Sequence, residues 1–366
     1  MNVNQSTEEK LRKVCKSFRI QGAFQSYDEI KMGNVNRTYK VNFIRDDGKR
    51  KSYIVQAVNT YVFKNPVQVM DNIDMVTEYI HAKAPQKTAL HFHHTAERKT
   101  YVFDENGFWR LFNYIPSNTY NATENMDIIR NAGEAFGEFQ QLLSDFDAAR
   151  LNVTIPDFHD TRKRYEKLIE DAQADPKGRL HEARAEYEWL LSVQDQACRL
   201  TDLYRQGQLP LRVTHNDTKI NNVLFDPETN AALVVIDLDT VMPGLVGHDF
   251  GDAIRFAANF VEEDCPHAEK AGLNLDIFRT FAQGFLKYLA GSLTEREIET
   301  LPLSCVALAC ELATRFLDDY LLGDPYFKIN YSEHNLVRTR CQIALAKDML
   351  KKLDEMSRIV RDCIAR

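Results

Sequence analysis

The sequence predicts an α+β chain of two lobes, a small β-rich one over residues 1–114 and a larger, mainly helical one over residues 115–366. Three observations carry that prediction. The first third alternates apolar and polar residues in short runs joined by turn residues. From Thr123 onward apolar residues recur at helical spacing. One stretch, Leu211 to Asp239, breaks the helical pattern with two short β-like runs.

In chain order, Arg37 to Ile44 alternates around Tyr39, Val41 and Phe43, Asp46-Asp47-Gly48 turns the chain, and Ser52 to Val58 resumes the strand, which is a hairpin pattern. Val67 to Lys83 places Met70, Ile73, Val76 or Thr77, and Ile80 at helical spacing. Thr100 to Phe103 and Phe108 to Tyr114 flank Asp104-Glu105-Asn106-Gly107, a second hairpin. Pro116-Ser-Asn-Thr-Tyr reads as the connector between the lobes. Ile128, Ile129, Ala132, Phe136, Phe139, Leu142 and Leu143 form an apolar stripe, and charged helical segments are expected at Thr161 to Asp171 and Arg179 to Tyr204. Within the interruption, Val223-Leu224-Phe225 and Leu233-Val234-Val235-Ile236 flank the turn Asp226-Pro227-Glu228-Thr229-Asn230. Helices then resume.

A net charge of −7 argues against a nucleic-acid surface or a polybasic membrane contact, because both need clustered positive charge. Met1 to Lys13 is too polar for the apolar core of a signal peptide, and the longest apolar stretch, Pro302 to Ala313, is interrupted by Ser304 and Glu311. A cytoplasmic protein is expected. The seven cysteines are scattered and form no CxxC, so neither a disulfide framework nor a zinc knuckle is indicated. His91, His93 and His94 have no further ligand pair at a metal-binding spacing and read as surface imidazoles.

The densest chemical signal is His215-Asn216-Asp217-Thr218-Lys219-Ile220-Asn221-Asn222, followed by Ile236-Asp237-Leu238-Asp239. Phosphoryl transfer from ATP needs a carboxylate to orient the acceptor hydroxyl and take its proton, an oxygen ligand for a metal, and a second metal-binding carboxylate. A loop with Asp and Asn five residues apart, leading through a hairpin to another Asp, supplies all three. The run resembles the protein-kinase catalytic loop, with Lys219 where kinases keep a lysine that steadies the transferring phosphate. Chance remains the competing reading for a short motif, and Asp217 would then only cap a turn. The motif's place between a helical stretch and a β-hairpin, together with the N-terminal lobe, favours the kinase-like fold.

The chain resembles the aminoglycoside phosphotransferase-like family over almost its full length, and within it the N-acetylhexosamine 1-kinases. The segments that carry the resemblance are Leu211 to Asn222, Ile236 to Gly244, Asp249 to Phe256, Arg315-Phe-Leu with Asp319-Tyr-Leu, and Glu333 to Arg340. It implies a bilobal protein-kinase-like fold and transfer of the γ-phosphate of ATP to the 1-hydroxyl of N-acetylglucosamine or N-acetylgalactosamine. Asp217 would be the catalytic base, aided by Lys219. Asn222 and Asp237 would hold Mg2+. Arg315, Tyr326, Phe256 and Asn34 would contact the sugar together with Asp217, and Gly33, Thr38, Gln56, Tyr114 and Ile115 the nucleotide. Simpler readings compete: Arg315 could pair with Asp318 or Asp319 on its own helix, and Tyr326 could be core.

The pattern departs from protein kinases at two places. Gly33-Asn34-Val35-Asn36-Arg37-Thr38 has a single glycine in the place of a glycine-rich loop, and Gln56 stands where the third strand should carry a lysine. Two alternatives follow: a nucleotide-binding pseudokinase, or an active enzyme in which Mg2+ and Lys219 neutralise enough charge. The second is favoured, because every residue needed for chemistry is present and the amino-sugar branch shares the glutamine. Other acceptors stay open, including aminoglycosides, choline, ethanolamine and homoserine, and the acids at Asp318 and Asp319 would suit a cationic one. Asp249 and Asp252 are expected to brace the catalytic loop, with Asp252 and Arg255 paired.

Overall fold

The structure is a computed structural model that describes residues 3–31 and 35–365. It divides into two compact units. The first comprises residues 1–117 with two later segments, Arg150–Ile155 and Ile236–Val241, and the second comprises the remainder.

The first unit opens with helix α1 (Val3–Ser17) and strand β1 (Ala23–Ile30). Neither stood out in the sequence, because β1 carries Gln25, Ser26, Asp28 and Glu29 and buries no residue fully. Strands β2 (Arg37–Ile44) and β3 (Arg50–Val58) form the expected hairpin, helix α2 (Pro66–Lys83) follows, and β4 (Tyr101–Asp104) and β5 (Gly107–Asn113) form the second hairpin. The sheet is antiparallel in the order β1-β2-β3-β5-β4. Leu11 and Val14 of α1, with Phe18 just beyond it, cover one face, packing with Tyr39, Val41, Tyr53, Val55, Trp109 and Leu111. Helix α2 buries Val69, Met70, Ile73 and Val76.

Asn72 explains why two distant segments belong to this unit. Buried on α2, its amide donates to the carbonyls of Asn152 (2.8 Å) and Val241 (2.9 Å), and its oxygen accepts from the Asn152 amide (2.8 Å). Such a side chain satisfies backbone groups that would otherwise be buried without partners.

The second unit contains helices α3 (Met126–Leu142), α4 (Thr161–Ala174), α5 (Arg184–Ser192), α6 (Gln194–Ala197) and α7 (Arg199–Arg205). The stretch expected to be helical from Arg179 to Tyr204 is thus three short helices, with Val193 and Cys198 at the breaks. Strand β6 (Arg212–Thr214) precedes the hairpin of β7 (Val223–Phe225) and β8 (Ala232–Val235), and β9 (Met242–Gly244) pairs back with β6. Helices α8 (Val246–Ala257), α9 (Leu275–Leu289), α10 (Glu295–Leu322), α11 (His334–Lys351) and α12 (Leu353–Ile364) complete it.

Asn125, Asp160 and Asn274 cap α3, α4 and α9 by accepting first-turn amides. Helices α3 and α9 approach so closely that a Cβ at Gly137 would lie 2.1 Å from the Phe285 carbonyl oxygen. Helix α10 is apolar and long enough to cross a bilayer by composition, but 83% of that window is buried inside the fold, so it is the core helix of this unit.

Candidate active site

In the second unit, strand β6 ends at Thr214 and delivers the run His215 to Asn222 onto a loop whose backbone is fixed from below. The His215 ring is fully buried and packs edge-on against Phe136 (5.7 Å) and Phe139 (6.0 Å) of α3. Asp249, buried on α8, accepts hydrogen bonds from the backbone amides of His215 (2.9 Å) and Asn216 (2.7 Å) and from Gln140 Nε2 (2.5 Å). Burial pushes the Asp249 carboxyl up, while these donors and His215 favour its charged form. Asp252, one turn on, accepts from the Thr218 amide (3.2 Å) and pairs with Arg255 (2.8 Å). The bracing roles expected of both aspartates are therefore met.

Asn216 adopts the left-handed region (φ 64°), a conformation asparagine tolerates. Asp217 follows, partly exposed, with Oδ1 2.8 Å from Lys219 Nζ and Oδ2 accepting from Asn222 Nδ2 at 3.1 Å. Burial works against the charge on Lys219, but Asp217 and Asp252 outweigh it and raise its pKa. Asn222 also donates to the Asp217 carbonyl (2.8 Å), so its amide nitrogen is committed and its oxygen is the end left for a cation.

In the first unit, Asp237 is exposed and left-handed (φ 61°, ψ 56°) at the start of a short 3-10 turn. A carboxylate and an amide oxygen are hard donors of the kind magnesium takes, and the ion commonly keeps water and phosphate as its other ligands. Among the described residues no group of three or more His, Cys, Asp or Glu is placed to hold a metal ion.

Gly33 and Asn34 lie outside the described residues. Thr38 sits on β2 with its hydroxyl accepting from Gln56 Nε2 (3.0 Å), and the half-buried Tyr114 ring lies under Lys40 Nζ at 4.1 Å. Ile115 is likewise half-buried.

Sequence reasoning missed Arg110. It faces Gln56 directly across the β3–β5 pairing, is buried, and donates Nε–H to Gln56 Oε1 (2.8 Å) and Nη1–H to Asp239. Its signal was a lone charge inside the apolar run Phe108-Trp109-Arg110-Leu111-Phe112.

Helix α10 of the second unit carries Arg315. Neither simpler reading of Arg315 and Tyr326 matches. Asp319 is occupied by the backbone amides of Tyr326 (2.8 Å) and Phe327 (3.0 Å) and by Asn335 Nδ2 (2.9 Å). Asp318 stands beside Asp171, where burial and that second carboxylate raise it to about 7. Among the described residues Arg315 forms no ion pair; its guanidinium lies 5.4 Å from the Phe327 ring centre, and burial with Arg164 nearby depresses its pKa. Tyr326 is 71% exposed, so it is not core. Phe256 is half-buried on α8.

A second missed element is His159. Its Nδ1 lies 2.9 Å from Glu311 and its Nε2 3.4 Å from the Asn216 carbonyl, so it links core helix α10 to the loop from His215 to Asn222. Burial opposes its charge, but Glu311 raises the pKa above the ordinary imidazole range. Glu311 itself falls to about 2: burial works to raise it, and His159 and Thr161 prevail. The acid inside the apolar stretch of α10 was the available clue.

A family model described as "Phosphotransferase enzyme family" matches residues 27–283. Similar solved structures include a microcompartment-associated aminopropanol kinase (15% identity, TM-score 0.64, covering 94% of this chain and 98% of that one). A choline kinase from Cryptosporidium parvum Iowa II is also similar (12% identity, TM-score 0.59, 98% and 100%). An amicoumacin kinase in complex with AMP-PNP and Ca2+ is a third (13% identity, TM-score 0.51, 99% and 96%). At these identities the structural likeness establishes the fold.

Proposed function

We propose, from the premise that this chain belongs to the phosphotransferase enzyme family, that it is a cytoplasmic small-molecule kinase which transfers the γ-phosphoryl group of ATP to the 1-hydroxyl of an N-acetylhexosamine. The observation that carries the chemistry is the presentation of Asp217. It stands on a loop whose flanking backbone amides are held by two buried carboxylates, with Lys219 and Asn222 on its own oxygens. That is the preorganisation a positioning catalyst needs.

Asp217 orients the acceptor hydroxyl and takes its proton as the oxygen bonds to the γ-phosphorus and the bond to the ADP oxygen breaks. Lys219 is placed to neutralise charge on the transferring group. Asn222 and Asp237 are the residues that would hold a divalent ion, which would supply positive charge to neutralise the nucleotide phosphates; the amicoumacin kinase of this fold is described in complex with AMP-PNP and Ca2+.

For the acceptor, Arg315 and Tyr326 support a neutral, oxygen-rich ligand. Arg315 offers a forked donor set with no ion-pair partner among the described residues, and Tyr326 is 71% exposed. A cationic acceptor, as the names of the aminopropanol and choline kinases imply for those proteins, would call for free carboxylates here. Asp319 is committed to backbone amides and Asp318 stands at about 7, so neither favours one.

The test is acceptor-dependent ATP consumption with Mg2+ across N-acetylglucosamine, N-acetylgalactosamine, glucose, galactose, kanamycin, choline, ethanolamine and homoserine. Turnover confined to the N-acetylated sugars, giving an alkali-stable, acid-labile phosphate, is the expected result. Turnover with an amine acceptor would discard the sugar. Nucleotide binding without turnover on any acceptor would make the chain a pseudokinase.

A further inference from the structure

Gln56 leaves strand β3 without the cation that kinases place there, yet the first unit is not without one. Arg110, directly opposite on β5, is 2% exposed and holds three groups at once: Gln56 Oε1 at 2.8 Å, one oxygen of Asp239, and the sulfur of Met70 on α2 at 3.9 Å. The other Asp239 oxygen accepts from Asn36 Nδ2 at 2.6 Å, and Asn36 Oδ1 in turn accepts from the Asn59 amide at 2.9 Å. Gln56 continues the chain of bonds to Thr38 at 3.0 Å. Every member belongs to the first unit.

We infer that Arg110 is a positioning residue: it clamps Asp239 and thereby sets the backbone on which Asp237 offers its carboxylate to the metal. The inference rests on the assignment of Asp237 as a metal ligand in the proposed kinase. Arg110 is enclosed by its partners, so it acts through Asp239 rather than by touching the nucleotide. Asp239 lies two residues beyond Asp237, whose left-handed backbone needs neighbours that over-determine it. The guanidinium suits this task where an ammonium would not, because its planar fork reaches Gln56 and Asp239 together. Asn36 and Thr38, on the segment assigned to the nucleotide phosphates, are joined to the same clamp. Gln56 is then no defect: its carbonyl end orients Arg110, and a lysine at 56 would set a second cation against the first.

The proposal is tested by calorimetric binding of ADP with and without Mg2+, beside thermal melting, for wild type, Arg110→Met, Arg110→Lys, Asp239→Asn and Asp237→Asn. Loss of an outer partner of a metal ligand weakens metal binding about 10–100-fold. Arg110→Met and Asp239→Asn are therefore expected to lose about tenfold or more of the Mg2+-dependent tightening of ADP, with Mg2+-free ADP affinity nearly unchanged. Arg110→Lys should retain only part of that tightening. Should Arg110→Met fail to fold, Arg110→Lys and Asp239→Asn decide. A lower melting temperature with full Mg2+-dependent tightening would make Arg110 merely structural and overturn the inference. If Asp237→Asn weakens that tightening and the clamp variants do not, only the inference fails; if Asp237→Asn has no effect either, the metal assignment beneath it fails.

Discussion

Replacing Asp249 by asparagine changes one oxygen for an NH2 group and almost nothing in volume, yet it strikes the support of the loop that carries Asp217. The two carboxylate oxygens divide their work: Oδ2 accepts from His215 N and Gln140 Nε2, and Oδ1 accepts from Asn216 N. An asparagine has one acceptor oxygen. Turned one way it strands the Asn216 amide against its own NH2; turned the other it strands the His215 amide, while Gln140 can flip. One buried backbone donor is lost in either case, which costs about 1–3 kcal/mol. The surviving bonds change from charge-assisted to neutral and weaken by roughly half. Removing a buried charge offsets part of this, leaving a net destabilisation of about 2–4 kcal/mol. Because the affected amides flank Asp217, a displacement on the order of 1 Å would lower kcat about 100-fold. Urea unfolding and steady-state kinetics with Mg-ATP read the two effects. A stability loss below about 0.5 kcal/mol, the range of ordinary surface changes, together with unchanged kcat would refute the bracing argument.

Asp217→Asn should lower turnover by about 10²–10⁴-fold, the range for a positioned general base, while ADP binding measured by calorimetry stays close to wild type; near-wild-type turnover would remove its catalytic role. Tyr326→Ala should change stability by less than about 0.5 kcal/mol, because the ring is 71% exposed; a raised acceptor KM would mark the acceptor subsite, and an unchanged one would exclude Tyr326 from it. Gly137→Ala forces a methyl to 2.1 Å from the Phe285 carbonyl oxygen and should destabilise by about 1–3 kcal/mol in urea unfolding without altering the acceptor specificity. The His159–Glu311 pair predicts a pH window. Glu311 is depressed from 4.5 to about 2, so its contribution is present above 4.5 and is lost as pH falls toward 2. His159 is raised above 6.5, so its contribution is present below 6.5 and is lost as pH rises through the folded value. The difference in Tm between wild type and Glu311→Gln should therefore be largest between pH 4.5 and 6.5; a difference independent of pH would show that the pair is not ionised.

The readings that were legible in the sequence share one property: their information is local. The hairpins of β2 with β3 and β4 with β5 announce themselves through alternation and turn residues, α3 through its apolar stripe, and the run from His215 to Asn222 through fixed spacing along a few residues. Strands β6 and β9 are too short for alternation to register, and in β1 the half-buried Phe24, Tyr27 and Ile30 stand three residues apart across a register shift, so alternation is broken there too.

What the tertiary structure decided are pairings between residues far apart in the chain. Arg110 and Asp239 meet only because β5 pairs with β3 in one register and Ile236–Val241 packs with the first unit. Asn72 draws Asn152 and Val241 together, and His159 finds Glu311, by the same kind of long-range closure. A sequence pattern states which faces are apolar and which residues can do chemistry. It does not state which buried charge finds which partner, because that depends on the fold bringing both into one low-dielectric space where an unpaired charge would be too costly to keep.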